Sequence, residues 1–484
     1  MRKPAILAVD FGSQSAKALA FDNQGNLLAT HGVNYPWIHP GENMVEIDPE
    51  RVWNAAQEAV GKCVDDLADK YEFKSLGFSY FGHGVLTVDE NYNPTSNIIL
   101  LADKRAEGLA NEIPGGAEAV MEATRISEFN PNGMPVKIYW LKKNRPDIYE
   151  KTAHVFDIQQ FVLARLGLDP VNDGTMATCK FAYDVYTGKW SEKIMDTFSI
   201  PRSWLTKDVV ASDYVVGKIT KFGNVDLKSE VQVIPGTHDT ESGILGMGAI
   251  PENPGVLSDS MGTYHQCGFL VDFPEGEFPE TGWASFITKC GRYRYYTNTT
   301  SNGGSSMSWF IRTFCGGEPI YDELFEKSPF DGTNPTIFFP KFSRGQAAIS
   351  NMSISRTREQ LFEALIEGIT FELTGGYDLL RARVAKYQGC DIKEIRAMGG
   401  GSQADKFLQL RATVFGIPVV RSSHVQGTGA GAAMMAAVGT GVYKDYKEAT
   451  DNMVTLTDRF EPDEKLRPIY LEKYERYKEF IAKL

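Results

Sequence analysis

The chain has 484 residues, a length that exceeds a single hydrophobic core and suits two or three domains. Its 62 acidic and 50 basic residues give a net charge of -12 without a lysine- or arginine-rich block, which predicts neither a nucleic-acid nor a membrane partner. The six cysteines show no C-x-x-C spacing, and this favours reduced thiols in a cytoplasmic protein over a disulfide framework or a zinc site.

A glycine turn joins the first two apolar runs of the chain. The runs lie at 5–9 and 16–21, and between them stand Asp10-Phe11-Gly12-Ser13-Gln14-Ser15. Such a turn aims backbone N–H groups and hydroxyls at one point, which is what a polyphosphate requires. An ordinary strand turn, in which the aspartate binds its own backbone, is the alternative. We interpret the segment as a phosphate loop in which Asp10 is a hard oxygen ligand for Mg²⁺, directly or through water.

The rest of the first half alternates strands with helices. The turn signal at 22–26 predicts a hairpin to a third strand, and Pro49-Glu50 opens a helix through about residue 70. The further predicted elements are strands at 27–33, 76–80, 85–88 and 231–235 and helices at 136–143 and 159–166. This order predicts an α/β domain with a partly antiparallel sheet.

The strand, turn, strand pattern begins again in the second half. An apolar strand at 255–257 leads into Ser258-Asp259-Ser260-Met261-Gly262-Thr263, and a return strand is predicted at 265–271. We place the domain boundary at 246–251. The sequence then predicts two similar α/β domains, 1–248 and 249–484, each built on a phosphate hairpin and facing the other across a cleft.

A third glycine site lies between a predicted strand at 392–398 and a predicted helix at 404–414. Its sequence is Gly399-Gly400-Gly401-Ser402. A tight turn needs fewer glycines, and three in succession let the backbone approach an adenine or ribose face. A helix at 357–385 precedes this site, and the small residues at 430–439 predict a closely packed buried helix after it.

Asp239 is the strongest candidate for chemistry, because it follows the strand at 231–235 and stands between His238 and Thr240. An aspartate at this position can also be a helix N-cap. The two roles are compatible, since the helix dipole keeps the carboxylate ionised and able to accept a proton from a hydroxyl that attacks phosphorus.

Two other polar sites have a structural alternative. His83, in Tyr80-Phe81-Gly82-His83-Gly84, is either a substrate ligand or a hydrogen-bonded histidine at a turn. Asp103 and Arg105 are either part of a site or a solvated charge pair at the start of a helix.

Taken in order, these motifs resemble the FGGY carbohydrate kinase family, which belongs to the superfamily of actin and the heat-shock ATPase chaperones. The first loop resembles the family's first phosphate motif, and residues 236–249 resemble the segment that carries its catalytic base. Residues 259–263 resemble its second phosphate motif, 399–419 its adenosine motif, and 427–439 its closing small-residue helix.

The resemblance implies two ribonuclease H-like (actin-like ATPase) domains that flank a catalytic cleft, and ATP- and Mg²⁺-dependent transfer of the γ-phosphoryl group to a sugar hydroxyl. It makes Asp239 the general base and Asp10 the metal residue. The residues it implies for the nucleotide are Gly12, Ser13, Gln14, Gly262, Thr263, Gly400, Gly401 and Ser402, and for the sugar His83, Asp103, Arg105, Asp239 and Thr240. The family includes dimers, so a homodimer is compatible with it.

These motifs leave the sugar open. Xylulokinase-like members have Asp-Asn at the base, whereas His238-Asp239-Thr240 is similar to the rhamnulokinase and fuculokinase groups, and Leu101 or Ala102 replaces an aromatic residue before Asp103. A ketose such as a pentulose is expected, with a deoxyketohexose or a polyol as alternatives. The rival classes are an actin-like or chaperone-like ATPase without a sugar product and a sugar-binding regulator without catalysis.

Overall fold

The computed structural model is built on two large mixed β-sheets. The structure describes residues 2–124, 129–184, 187–272, 293–300, 302–342, 345–423 and 426–484, so that Cys290 lies outside the described residues. Contacts divide the chain into two compact units. The first consists of Met1–Gly246, Leu270–Tyr295 and Thr428–Met453, and the second of Met247–Phe269, Tyr296–Gly427 and Val454–Leu484.

The units interleave along the chain, whereas the predicted bounds 1–248 and 249–484 use a single cut. Residues 428–453 return to the first unit, where hydrogen bonds join them to earlier segments. The Ser242 hydroxyl donates to the Thr428 carbonyl at 2.7 Å, and the Tyr446 hydroxyl donates to Asp213 at 2.7 Å. The small-residue helix is therefore part of the unit that also contains the first loop.

The first sheet is built on the predicted N-terminal hairpin. Its strands are β1 (Lys3–Phe11), β2 (Ser15–Asp22), β3 (Leu27–Asn34), β5 (Tyr71–Tyr80), β13 (Gly217–Phe222), β14 (Val225–Val233) and β15 (Thr237–His238). The order is β13-β14-β5-β1-β2-β3, and β15 pairs with β5. β1 pairs antiparallel with β2 and parallel with β5, whereas β14 pairs parallel with β5 and antiparallel with β13.

The second sheet repeats this topology. Its strands are β16 (Val256–Met261), β17 (His265–Asp272), β18 (Tyr293–Thr300), β21 (Glu394–Met398), β22 (Val419–Ser422) and β23 (Leu456–Phe460). The order is β18-β17-β16-β21-β22-β23. β16 pairs antiparallel with β17 and parallel with β21, and β22 pairs parallel with β21 and antiparallel with β23. The six strands of the second sheet thus follow the same order as six of the seven strands of the first, and β15 is the additional strand; the repeated hairpin is confirmed.

Short strands form small ladders outside the two sheets. They are β4 (Glu46–Ile47) with β7 (Ile98–Ile99), β6 (Leu86–Val88) with β8 (His154–Phe156), β9 (Asn172–Asp173) with β12 (Val209–Val210), β10 (Tyr183–Asp184) with β11 (Lys189–Trp190), and β19 (Ile337–Phe339) with β20 (Ala348–Ser350).

The helices begin and end where local signals allow. In the first half they are α1 (Pro49–Leu67), α2 (Gly116–Thr124), α3 (Met134–Asn144), α4 (Pro146–Tyr149), α5 (Ile158–Arg165), α6 (Gly174–Cys179), α7 (Glu192–Phe198) and α8 (Asp239–Gly246). In the second half they are α9 (Gly304–Phe314), α10 (Tyr321–Lys327), α11 (Arg358–Gln388), α12 (Asp405–Phe415), α13 (Gly427–Gly439), α14 (Tyr446–Met453) and α15 (Arg467–Ile481). Among the residues the structure describes, no helix combines the length and apolar character that a membrane span needs.

Capping residues explain where the two longest helices begin and where the longer one ends. The Asp48 carboxylate accepts from the Glu50 amide at 2.9 Å to start α1. Thr357 and Gln360 form a capping box before α11, and Gly389 ends that helix in the left-handed conformation. α1 buries Val52, Ala56, Val60 and other apolar residues in a core shared with the first sheet, so the predicted helix becomes a support for the first loop.

A buried ion pair fastens α15 to α11. Lys473 Nζ lies 2.5 Å from Glu367 Oε2, and the two side chains are 0% and 1% exposed. Replacing Lys473 with alanine would leave a buried carboxylate without its cation, so we expect the free energy of unfolding to fall by about 3–5 kcal/mol. Urea denaturation of the purified variant measures this loss.

Lys478→Ala is the matched control, because Lys478 pairs with Glu475 on the same helix with side chains 47% and 64% exposed. That change is expected to cost at most about 1 kcal/mol. Equal losses from the two variants would contradict the assignment.

Candidate active site

Three adjacent parallel strands end at one edge of the first sheet. Asp10 on β1 and Thr237 on β15 are both in register with Ser79 on β5, on its opposite sides. Adjacent strands lie about 4.8 Å apart, so the two flanking backbones are about 10 Å apart. Asp239 follows β15 directly and His83 follows β5 closely. The topology therefore brings Asp10, His83 and Asp239, which are distant in sequence, to the same edge.

Asp239 is the first residue of α8, the helix-start position predicted for it. Its side chain is 38% exposed, and Oδ1 lies 3.1 Å from His238 Nε2. The Thr240 hydroxyl donates to the same oxygen at 3.4 Å. The hydroxyl of Thr240, a predicted substrate residue, thus contacts the predicted base. Both of these contacts fall on Oδ1 of the carboxylate.

Asp10 has the features of a cation ligand. It is 8% exposed, and no hydrogen-bond partner among the described residues reaches its Oδ1 atom. Burial raises the pKa of Asp10 from its ordinary value; the positive charge of Lys17 opposes this, and the negative charge of Asp239 adds to it. A buried carboxylate oxygen beside a second carboxylate fits a hard divalent cation such as Mg²⁺, which would neutralise both charges.

The hydrogen bond of His83 determines its tautomer. Nδ1 lies 2.8 Å from the Cys179 carbonyl oxygen, which can only accept, so Nδ1 carries the proton. Burial, and next the charge of His238, lower the pKa of His83 to about 3, so the ring is neutral. Nε2 is then an acceptor for a hydroxyl proton. The turn interpretation is correct in that His83 has φ 63° and a hydrogen bond to the backbone; the substrate role stays a prediction.

Two residues that the sequence analysis missed line the same place. Cys179, at the end of α6, lies with His83 and His238 so that their ligand atoms are within 4.8 Å of one another. Both nitrogens of His238 already contact carboxylates, those of Asp239 and Glu241, and burial raises the pKa of the Cys179 thiol. The cluster is therefore a poor site for a soft metal. Glu241 lies in the first turn of α8, three positions after His238, and this spacing was the signal in the sequence that could have indicated their contact.

Asp103 and Arg105 form a buried ion pair, so the solvated-pair alternative is wrong. Their side chains are 0% and 5% exposed, and Arg105 also binds Glu46 at 2.6 Å. The Asp103 carboxylate accepts from the Val45 amide at 2.7 Å, and the Arg105 guanidinium lies over the Trp140 ring at 5.1 Å. These contacts fix the segment around residue 103, and Arg105 and Glu46 line a cavity of about 450 Å³.

Lys137 is a third missed residue. It is fully buried on α3, and its amine donates to the Leu100 carbonyl at 2.5 Å. Burial lowers the pKa of Lys137 to about 7; Asp103 opposes the shift and Arg105 adds to it. The charge of Lys137 also contributes to the lowered pKa of His83. Lys137 thus interacts electrostatically both with the Asp103–Arg105 pair and with His83.

The first loop is held by its carbonyl oxygens. The Tyr35 hydroxyl donates to the Gly12 carbonyl, Trp37 Nε1 donates to the Ser13 carbonyl at 2.8 Å, and the Tyr35 amide donates to the Gln14 carbonyl at 3.0 Å. In a planar trans peptide the N–H group points away from the C=O group. The amides of Ser13 and Gln14 therefore point away from the aromatic residues, as a phosphate loop requires. The Gly12 amide donates to the Ser15 carbonyl at 2.9 Å, so the contribution of Gly12 is to the conformation of the turn.

The second loop belongs to the other unit and is held by a helix start instead. The Gly304 and Ser305 amides, at the beginning of α9, donate to the Gly262 and Thr263 carbonyls at 2.9 and 3.2 Å. By the same geometry, the amides of Thr263 and of the following residue point away from α9. The amide of Thr263 is thus oriented as an anion site requires, and Gly262 contributes the carbonyl that binds the start of α9.

The triple glycine lies against the second loop. Gly399 has φ 90°, and a Cβ atom there would lie 3.0 Å from Met261 backbone, so the close approach needs glycine. A Cβ at Gly400 would meet no atom of the described residues within 4 Å, which leaves room for a ligand. Ser402 is fully buried and its hydroxyl donates to the Gly399 carbonyl at 2.7 Å. The Ser402 side chain therefore shapes the turn that the predicted adenosine site uses.

Asp259 does not lie in the second phosphate turn. It is on β16, fully buried, and forms an ion pair with Arg411, whose guanidinium also donates to His265 Nδ1. Burial raises the pKa of Asp259, and Arg411 opposes the shift. The Asp259 carboxylate therefore pairs with Arg411 in the interior of the unit. The turn itself begins after Met261.

Comparison with known proteins agrees with this arrangement. Residues 5–246 match the N-terminal domain, and residues 331–440 the C-terminal domain, of the FGGY family of carbohydrate kinases. A xylulose kinase of Lactococcus lactis subsp. lactis (strain IL1403) is 26% identical over 494 residues, which cover 98% of this chain and 96% of that protein. The ligand-bound xylulose kinase of Lactobacillus acidophilus has a TM-score of 0.86 at 21% identity, with 99% of this chain and 98% of that chain covered. A Plasmodium falciparum glycerol kinase with ADP has a TM-score of 0.81 at 21% identity, with 99% and 98% covered.

The fold and the matched domains define an enzyme that transfers a phosphoryl group to an alcohol. The chain belongs to the FGGY family of carbohydrate kinases, and its substrates are ATP and a sugar. The predicted α/β class, with two actin-like ATPase domains, is confirmed by the likeness to solved kinases. The rival interpretation as an ATPase without a sugar product is therefore wrong.

The hydrogen bonds from Tyr35 and Trp37 to the carbonyls of the first loop predict that this loop affects the KM for ATP and not the KM for the sugar. Tyr35→Phe removes one neutral hydrogen bond, so we expect the KM for ATP to rise about 2- to 12-fold while the KM for the sugar stays unchanged. Steady-state kinetics with each substrate varied in turn measures both values.

Tyr183→Phe is the control, because the Tyr183 hydroxyl donates to the Gly188 carbonyl at 2.7 Å in another turn of the same unit. A similar rise in the KM for ATP in this control, or an unchanged KM in Tyr35→Phe, would contradict the role of the anchor.

Proposed function

We propose that the protein transfers the γ-phosphoryl group of ATP to a hydroxyl of a ketose, a pentulose such as xylulose. Among the relatives, the Lactococcus and Lactobacillus proteins are xylulose kinases by name. A deoxyketohexose of the rhamnulose or fuculose type is the alternative, because His238-Asp239-Thr240 departs from the Asp-Asn of xylulokinase-like members. A polyol is a weaker alternative.

The observation that carries the proposal is the position of Asp239. Its carboxylate stands at the start of α8, close enough to Asp10 to raise the pKa of that group, with Oδ1 engaged by His238 and Thr240. Oδ2 accepts the hydroxyl proton as the hydroxyl oxygen forms a bond to the γ-phosphorus. The bond from that phosphorus to the bridging oxygen of ADP breaks in the same displacement.

Substrate positioning is assigned to the residues beside the base. His83 Nε2 is an acceptor and is proposed to bind a sugar hydroxyl, since its Nδ1 proton is used by Cys179. Asp103 and Arg105 are proposed to act by holding the wall of the sugar site, because their charges are used within the protein. Such orientation of the attacking hydroxyl supplies a large part of the rate of phosphoryl transfer.

The loops are proposed to bind the nucleotide. The amides of Ser13, Gln14 and Thr263, which lie opposite bound carbonyls, are proposed to donate to phosphate oxygens, and the Gly400-Gly401 backbone is proposed to contact the adenosine. Asp10 is the residue that would hold Mg²⁺, and the ion, when bound, would neutralise phosphate charge. The orphaned Oδ1 of Asp10 supports this assignment.

The remaining parts of the proposal rest on the sequence. A cytoplasmic location is supported by the scattered cysteines, and the absence of nucleic-acid and membrane partners by the acidic net charge. A homodimer is compatible with the family. A sugar-binding regulator without catalysis is disfavoured, since Asp10, Thr263 and Asp239 are all retained.

Asp239→Asn tests the base. The amide keeps the size of the side chain but accepts no proton, so we expect kcat to fall about 10²–10⁴-fold with the Kd for ATP unchanged. A coupled ADP-release assay and nucleotide titration provide the two values. Sugar phosphorylation at the wild-type rate would remove Asp239 from the role.

The sugar class is tested by a coupled ATP-consumption screen over ketopentoses, deoxyketohexoses, polyols and aldonates. We expect the highest kcat/KM with a ketopentose, the acceptor class that the names of the relatives support. A deoxyketohexose as the best substrate would favour the alternative. ATP consumption without a phosphorylated product would count against the sugar-kinase proposal.

A further inference from the structure

A chain of two carboxylates and one imidazole ends at the proposed base, Asp239. Glu241 Oε2 lies 2.9 Å from His238 Nδ1, and His238 Nε2 lies 3.1 Å from Asp239 Oδ1. Glu241 is only 1% exposed, whereas the Asp239 side chain is 38% exposed. The imidazole therefore connects a buried acid with the acid that faces the substrate.

The groups around His238 favour its charged form. Burial would lower the pKa of His238, but Asp239 and then Glu241 outweigh it, and with Asp173 they raise this pKa to about 9. From other elements, the neutral His83 ring lies at 5.8 Å between centroids, and the Cys179 thiol is protonated because burial raises its pKa. His238 is thus an imidazolium at neutral pH and donates from both nitrogens.

The backbone is shaped around this ring. A Cβ atom at Gly82 would lie 2.5 Å from His238 Nε2 and 3.2 Å from Cys179 Sγ. Thr237, the residue before His238, donates through its hydroxyl to the buried Asp173 at 2.9 Å, and Ser212 donates to the same carboxylate oxygen at 2.8 Å. The strand that carries the imidazole is held from one side, and the turn at Gly82 confines the ring from the other.

We propose that His238 and Glu241 are positioning residues for the base: the imidazole, held by the buried Glu241 carboxylate, fixes Oδ1 of Asp239 and directs Oδ2 at the substrate hydroxyl. This proposal rests on the proposed role of Asp239 as general base. A free aspartate side chain would rotate and present either oxygen. The bridge removes that freedom before the sugar binds.

The direction of the pH dependence follows from the raised pKa. The stability that the ion pairs of His238 contribute is fully present below the ordinary histidine pKa of about 6.5 and is lost as the pH rises through about 9, where the imidazolium itself loses its proton. The kcat for sugar phosphorylation should therefore fall on the alkaline side with a midpoint near that value. Removing one of the two facing carboxylates should move the midpoint to lower pH.

Glu241→Gln is the central test, because it keeps the shape of the side chain and removes its charge. We expect the alkaline midpoint of kcat to move down by about 1–3 pH units, the usual effect of one close opposite charge. We also expect kcat at pH 8 to fall about tenfold, as for one charge-assisted hydrogen bond, with the KM for ATP unchanged. A second readout is the titration of the histidine Cε1–H signals by NMR in the full-length protein, which has seven histidines; loss of one signal in His238→Gln identifies His238.

Glu363→Gln is the matched control. Glu363 is also a fully buried carboxylate, but it lies on α11 in the other unit, where it accepts from the Phe330 amide at 2.6 Å and from the Asn334 side chain at 3.1 Å. Neither the alkaline midpoint nor the His238 titration should change in this variant. The melting temperature of each variant separates a loss of folding from a loss of positioning.

The outcomes separate this proposal from the assignment of the base. Shifted midpoints in Glu241→Gln but not in Glu363→Gln support the bridge. An unchanged His238 titration, or the same shift in both variants, overturns it, even if Asp239→Asn is inactive and the base assignment stands. Full activity of Asp239→Asn overturns the base assignment and with it the positioning role, whatever the NMR titration shows.

Discussion

The parallel pairing of β1 and β15 on either side of β5 is the constraint on which the site depends. It sets Asp10 and Thr237 in one register with Ser79, and so delivers two carboxylates and a histidine to a single edge of the sheet. A shift of one residue in either pairing would turn alternate side chains to the opposite face. The core of α1 against this sheet, and the α13 contacts to α8, hold that register.

The two loops show how a repeated topology can be used with different chemistry. Six strands of the first sheet follow the same order as the six of the second, yet the first loop is anchored by the aromatic residues Tyr35 and Trp37 and the second by the first amides of α9. In both cases carbonyl oxygens are bound on one side and amides are turned to the other. The physical requirement, an array of N–H groups for an anion, is met twice while the supporting residues differ.

Local patterns in the sequence predicted what depends on neighbouring residues. The hairpins, the glycine loops and the helix start at Asp239 follow from turn chemistry and alternation of apolar residues, and they were found where expected. Contacts between distant residues could not be predicted, because nothing in the spacing of Asp259 and Arg411, or of Lys137 and Leu100, indicates that they meet. For the same reason the sequence leaves open whether Asp103 and Arg105 belong to a site or form a solvated pair, since their burial depends on Glu46 and Trp140.

The return of residues 428–453 to the first unit has a consequence for biosynthesis. The partners Ser242 and Thr428 are 186 positions apart, so the first unit cannot be completed when its N-terminal part leaves the ribosome. Non-local contacts of this kind slow folding and leave apolar surface uncovered in the meantime. The first 246 residues of the nascent chain therefore stay incomplete until residues 428–453 have emerged, and their uncovered apolar surface is open to chaperones and to aggregation during that time.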